Sequence, residues 1–167
     1  MQENPNIYQS LGAYLGKAGK AMGKRLSENF ASAGYDINLE HWIILVHLWA
    51  QDGLNQKALC DFAGQHKTAI TRAINSLEKL GFVVRIPDKM DKRNKLIYLT
   101  HQGKEVREGL VAQMQKTIAE ATQGIAEEDI ETCKQVLGKV FLNLAGEEHI
   151  QFSSYNSYNR NESNSNS

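Results

Sequence analysis

Residues 66–100 read HKTAITRAINSLEKLGFVVRIPDKMDKRNKLIYLT, in order an amphipathic run, a glycine, and two β-rich runs around a charged turn. Ile70, Ala73, Ile74 and Leu77 recur at the spacing that places them on one face of a helix, so they are expected to pack inward. Thr68, Arg72, Asn75 and Lys79 then project from the opposite face. A plain solvated helix would show mixed Glu and Lys pairs, whereas only Glu78 is acidic here.

Leu80-Gly81 predicts the end of the helix, because glycine takes the left-handed conformation that a helix C-terminus often needs. Phe82 to Ile86 and Leu96 to Thr100 are β-branched and aromatic, and both read as strands. The link from Pro87 to Lys95 is dense in charge and cannot bury anything, as expected of a hairpin tip made for water or phosphate. The whole predicts a recognition helix followed by a wing.

Charge distribution favours phosphate. The formal net charge of the 167-residue chain is zero, yet residues 66–95 carry a local balance of plus five and residues 105–150 one of minus five. One end is basic and another acidic, a polarity that would steer the molecule onto a polyanion in one orientation.

Residues 54–103, LNQKALCDFAGQHKTAITRAINSLEKLGFVVRIPDKMDKRNKLIYLTHQG, resemble the winged helix-turn-helix core of the MarR family of bacterial transcription regulators. The resemblance extends to Asn38–Trp42 and to Gly124–Ile130. Its most specific part is the wing, where Gly81, Val83, Arg85, Asp88, Asp91, Arg93, Leu99, Thr100 and Gly103 fall at the family's spacing.

The resemblance implies a mainly α fold with a small β-hairpin wing, in which residues 35–100 form the winged helix-turn-helix. Residues 1–34 and 101–150 would supply dimerisation helices. It implies a homodimer that binds an inverted repeat in double-stranded DNA and acts as a repressor released by a small-molecule effector. The expected DNA-contacting residues are His66, Lys67, Thr68, Thr71, Arg72, Asn75, Lys79, Arg85, Lys92, Arg93 and Lys95, with Arg93 entering a minor groove and Asp91 steadying it. Arginine suits that task because it loses less hydration than lysine on entering a narrow groove. Lys92, Asn94 and His66 depart from the residues frequent in the family, which bears on sequence preference.

Apolar stripes agree with dimerisation. Ile7, Leu11, Tyr14 or Leu15, Ala18, Met22, Leu26 and Phe30 form one. Val106, Leu110, Met114 and Ile118 form a second, with Thr100 as its N-cap and Gly103 allowing close approach of another element. Ile130, Cys133, Val136, Leu137, Val140 and Leu144 form a third.

For an effector, Phe30, Tyr35, Trp42 and Trp49 could line a cleft or simply build the core. Cys60 could make the chain a redox-responsive regulator, although a buried small hydrophobe is the plainer expectation for it and for Cys133. A zinc site would rest on Glu40 and His41 alone, and His41 is expected to act at a helix start instead. A third alternative is a winged-helix protein-interaction dimer that no longer reads DNA. No nucleophile elbow, phosphate-cradling loop or paired metal ligands argue for an enzyme or a cofactor. The longest apolar run is too short to span a membrane, and the N-terminus lacks a signal peptide's features, so a cytoplasmic protein is expected. Residues 151–167 are almost all Ser, Asn and Tyr, a composition expected to be disordered, and the acceptor triplet at Asn161 is expected to be chance.

Overall fold

The computed structural model describes residues 7–145; the tail 151–167 lies outside the described residues. After a short 3-10 turn at Ile7–Gln9 come α1 (Leu11–Ser32), α2 (Leu39–Ala50), β1 (Leu54–Asn55), α3 (Gln56–Ala63), α4 (Lys67–Lys79), β2 (Val83–Pro87), β3 (Lys95–Leu99), α5 (His101–Glu105), α6 (Arg107–Ala121) and α7 (Glu127–Ala145). The fold is mainly helical with one small antiparallel sheet in the order β1-β3-β2.

Side-chain oxygens start four of the helices. Ser10, Asn38, Asn55 and Thr100 accept from the backbone N–H three residues on, satisfying donors that a helix's first turn leaves open. At α2 the box is closed in both directions, since Asn38 N–H donates to His41 Nδ1 at 3.2 Å. His41 is therefore a capping residue.

The core draws on every layer around α4. Phe30, Ile44, Leu45, Leu48, Leu59, Ile70, Ile74, Leu77, Ile97 and Leu110 are almost completely removed from solvent, each side chain contributing about 1.5–3 kcal/mol of apolar burial. Ala73 completes the buried face of α4, which is the face its spacing indicates. Gly81 follows α4 with φ 75° and turns the chain into β2. Val83 pairs with Leu99 and Arg85 with Ile97 across the hairpin.

Two elements differ from the expected pattern. β1 pairs Leu54 with Ile97 and adds a third strand to the wing; two residues are too short to show alternation, and tertiary pairing defines them. The helix expected to follow an N-cap at Thr100 does start there, but it is not continuous and steps at Val106 into α5 and α6.

α1 and α6 are joined by a polar rung. The buried Asn29 donates from Nδ2 to Thr117 Oγ1 at 2.9 Å and to Glu120 Oε2 at 3.3 Å, and Arg25 Nε lies 3.4 Å from that carboxylate oxygen. Among the described residues, the α1 stripe is covered at its C-terminal end only. Leu26 and Phe30 are buried, while Leu11, Tyr14, Leu15 and Met22 are exposed.

The chain divides into two compact units at Ala121 and Thr122, and α7 belongs to the second. Among its described residues none is buried, and Val136, Leu137, Phe141, Leu142 and Leu144 are exposed. Cys133 is exposed too, contrary to the expectation of a core thiol, because no described residue of α7's own unit is buried against that face.

Candidate nucleic-acid interface

α4 enters its first turn without a side-chain cap: His66 occupies the N-cap position with extended backbone angles and makes no capping bond. The outward residues then follow from the burial of Ile70, Ala73, Ile74 and Leu77. Lys67, Thr68, Arg72, Asn75 and Lys79 are exposed along one side of the helix, and Lys92, Arg93 and Lys95 are exposed at the wing. Except for Asn75, none of these side chains has a hydrogen bond or ion pair among the described residues. Together they form a cationic surface built on two elements of one rigid core.

The wing turn is organised by its aspartates. Asp88 Oδ1 accepts from Met90 N–H at 2.9 Å, and Asp91 Oδ1 accepts from Arg93 N–H at 3.0 Å. Asn94 N–H also donates to the Asp91 carbonyl, and Asp88 N–H to the Asn94 carbonyl, both at 2.9 Å. Asp91 thus fixes the backbone of Arg93 and leaves the guanidinium in solvent.

Three of the expected DNA-contacting residues are engaged within the chain. Thr71 is half-buried; its hydroxyl donates to the Lys67 carbonyl at 2.7 Å and accepts from Gln56 Nε2, which ties the start of α3 to the first turn of α4. Arg85 pairs with the Glu78 carboxylate, and its Nη2 donates to Asn75 Oδ1 at 2.6 Å. Glu78 Oε1 also accepts the backbone N–H of Arg85 at 3.3 Å, so one carboxylate stitches β2 to α4. Glu78 and Gln56 were not singled out by the sequence reading. The signal available was the lone acidic residue of an otherwise basic helix, set seven positions before an arginine on the following strand.

Of the aromatic set, Phe30 is core, while Tyr35, Trp42 and Trp49 are half-buried against it. Phe30 is fully buried, and its ring lies 5.7 Å from that of Trp42, which lies 5.7 Å from that of Trp49. The hydroxyl of Tyr35 lies over Gly109, where a Cβ would stand 1.9 Å from it. Trp49 borders an open cleft of about 340 Å³, with Leu48, Asp52, Leu99, Lys104 and Arg107. Asp52 is held there by the Leu99 N–H at 2.8 Å and faces Lys104 Nζ at 3.6 Å. Cys60 is half-buried against the core.

Burial lowers the pKa of both His41 and His47 below 6.5, although Glu40 and Asp36 act in the opposite direction on His41. Their neutral forms suit their surroundings: His41 Nδ1 accepts a hydrogen bond, and the His47 ring stacks on Phe62 at 4.8 Å.

Residues 35–94, from within the α1–α2 connection to the wing tip, match the family model described as MarR family. In that segment the chain is similar to the MarR family. The chain is 28% identical to the uncharacterised HTH-type transcriptional regulator YybA of Bacillus subtilis over 109 residues, 65% of this chain and 73% of YybA. Other curated relatives are matched over 64% and 51% of their length. The crystal structure of the transcriptional regulator SlyA superposes with a TM-score of 0.73 at 25% identity, covering 86% of this chain and 99% of SlyA. That of CouR from Rhodococcus jostii RHA1, bound to p-coumaroyl-CoA, gives 0.67 at 22% identity over 79% and 91%; at that identity the likeness concerns the fold. The fold is that of the solved winged-helix transcription regulators. Among the described residues no helix is long and apolar enough to cross a membrane.

Proposed function

We propose that this protein is a cytoplasmic homodimeric repressor that reads an inverted repeat in double-stranded DNA and is released by a small-molecule effector. The observation that carries the reading is the continuous cationic surface of α4 and the wing, displayed on a MarR-like core. Side chains there are of the kinds that meet phosphates and base edges, and α4 has the dimensions of a major-groove helix. Arg93 at the wing tip reaches for the adjoining minor groove.

Dimerisation is supported by the exposed apolar side chains of α1 and, separately, by α7. A helix of 19 residues with no buried side chain among those described gains little from its own backbone bonds and needs a partner surface. Two copies of α4 related by a two-fold axis would contact half-sites about one helical turn apart, which makes an inverted repeat the matching target.

Effector release draws on the cleft beside Trp49, where a flat aromatic wall meets the cations Lys104 and Arg107. CouR shows that this fold accommodates an acyl-CoA ligand. Selection of binding sites from a random duplex library at near-physiological salt, with the solution mass measured in parallel, tests the reading. An enriched inverted repeat bound by a dimer is expected; enrichment of nothing, or a monomer, would sink it.

A further inference from the structure

Asn75 lies in the middle of the exposed face of α4, and its side-chain oxygen is already in use. Arg85 Nη2 donates to Asn75 Oδ1 at 2.6 Å. A guanidinium has donors only, so the carboxamide must turn its oxygen toward Arg85, and its orientation is set by chemistry. Glu78 in turn holds Arg85: its carboxylate pairs with Nη1 and accepts the backbone N–H at 3.3 Å. With its side chain only 18% exposed, Arg85 is a fixture of the α4–β2 junction, not a free cation. What Asn75 presents outward is its NH₂ group, which has no hydrogen bond among the described residues.

We propose that Glu78 and Arg85 set the base preference of α4 by locking Asn75 as a donor-only reader, so that it favours an edge made only of acceptors (guanine O6/N7 or thymine O4) over adenine, whose N7 alone it can still meet. The proposal deepens the DNA-reading function above and rests on it. An unconstrained asparagine favours adenine, accepting from N6 while donating to N7. Here the acceptor half of that pair is occupied. The remaining lone pair of Oδ1 lies beside a guanidinium, so an adenine amino group approaching it would bring positive hydrogens against a cation. Guanine and thymine ask only for donors at these positions, and Nδ2 has two. Glu78 and Arg85 are positioning residues: they touch no base and act through Asn75.

The test is binding-site selection with the full chain and three variants, with thermal unfolding as the check on folding. Wild type is expected to enrich guanine or thymine at one position of each half-site, and Asn75→Ala to erase the preference at that position alone. In the charge-balanced double variant Glu78→Gln/Arg85→Gln, adenine should rise there by about tenfold, the scale of one bidentate contact, with other positions unchanged. Arg85→Lys keeps the charge and the Glu78 pair but lacks the planar fork needed to hold two partners, so it should shift the same position in the same direction. If the double variant does not fold, Arg85→Lys decides. Adenine at the Asn75-dependent position in wild type, an unchanged preference in the Arg85 variants, or no position sensitive to Asn75→Ala overturns the proposal while leaving DNA reading intact. Absence of any enriched motif with wild type overturns the DNA reading itself, and the proposal with it.

Discussion

Trp49 donates its indole N–H to the carbonyl oxygen of Gly103 at 2.9 Å, bridging α2 to the first turn of α5. The bond spans 54 residues of sequence and fixes where the chain leaves the wing. Trp49→Phe keeps an aromatic ring and deletes the donor, leaving a carbonyl at a buried residue without this partner. A loss of about 1–2 kcal/mol is expected in urea unfolding; an unchanged midpoint would show that the bond contributes nothing.

Gly103 is also where the wing strand and α5 come closest. A Cβ there would stand 2.0 Å from the Phe82 carbonyl oxygen and 2.9 Å from its carbon. Backbone atoms cannot rotate away, so Gly103→Ala should cost about 3 kcal/mol or abolish folding, despite alanine's better helix propensity. A variant as stable as wild type by thermal unfolding would refute the close approach.

The uncapped start of α4 offers a gain. His66 provides no side-chain acceptor to the first turn, and serine is among the preferred residues at that position. His66→Ser should stabilise the chain by about 0.5–1 kcal/mol, read as a higher urea midpoint at pH 7.5. No gain would mean that the first-turn N–H groups are already satisfied in solution.

His41 should make stability sensitive to acid. Burial holds its pKa below 6.5, the value the unfolded chain regains. Above pH 6.5 both states are neutral and the stability is complete. Below it the unfolded chain takes up the proton first, and stability falls until the folded pKa is reached. His41→Gln keeps a side-chain acceptor at the third helical position without titrating, so its unfolding midpoint should drop less than wild type's between pH 7.5 and 5.5. His47 shifts the same way, so some slope should remain. Identical slopes would clear His41 of the effect.

Arg93 has its backbone fixed by Asp91 and its guanidinium free. Arg93→Ala is expected to weaken binding to specific and random duplexes alike and to reduce the slope of log K against log salt by about 1. An effect confined to one base position would assign Arg93 to base reading instead.

Much of this was legible in the chain because it follows from periodicity and turn chemistry. The spacing of Ile70, Ala73, Ile74 and Leu77 defined the inner face of α4, Gly81 marked its end, and Thr100 and Gly103 announced a cap and a close approach. What the sequence concealed are contacts between elements. Assigning Arg85 and Asn75 by residue type put both among the DNA-contacting side chains; the bond joining them crosses from helix to strand and leaves no period to detect. β1 is invisible for the same reason, being two residues that are a strand only because β3 lies beside them. The aromatic residues were ambiguous by nature, since Phe30 in a core and Phe30 in a cleft produce the same letter at the same spacing.

β1 has a mechanical consequence. Asn55 is paired with Leu96 of the wing and at the same time caps α3, while Gln56 grips the first turn of α4 and Glu78 grips β2 from its end. Helix and wing are thus tied together at both extremities of α4, and the ties favour a fixed angle between them. In the proposed dimer each reading head is a rigid jaw of a calliper. An effector could then change only the gap between the jaws, and operators would be told apart under its control by half-site spacing, with the letters within each half-site read the same way throughout.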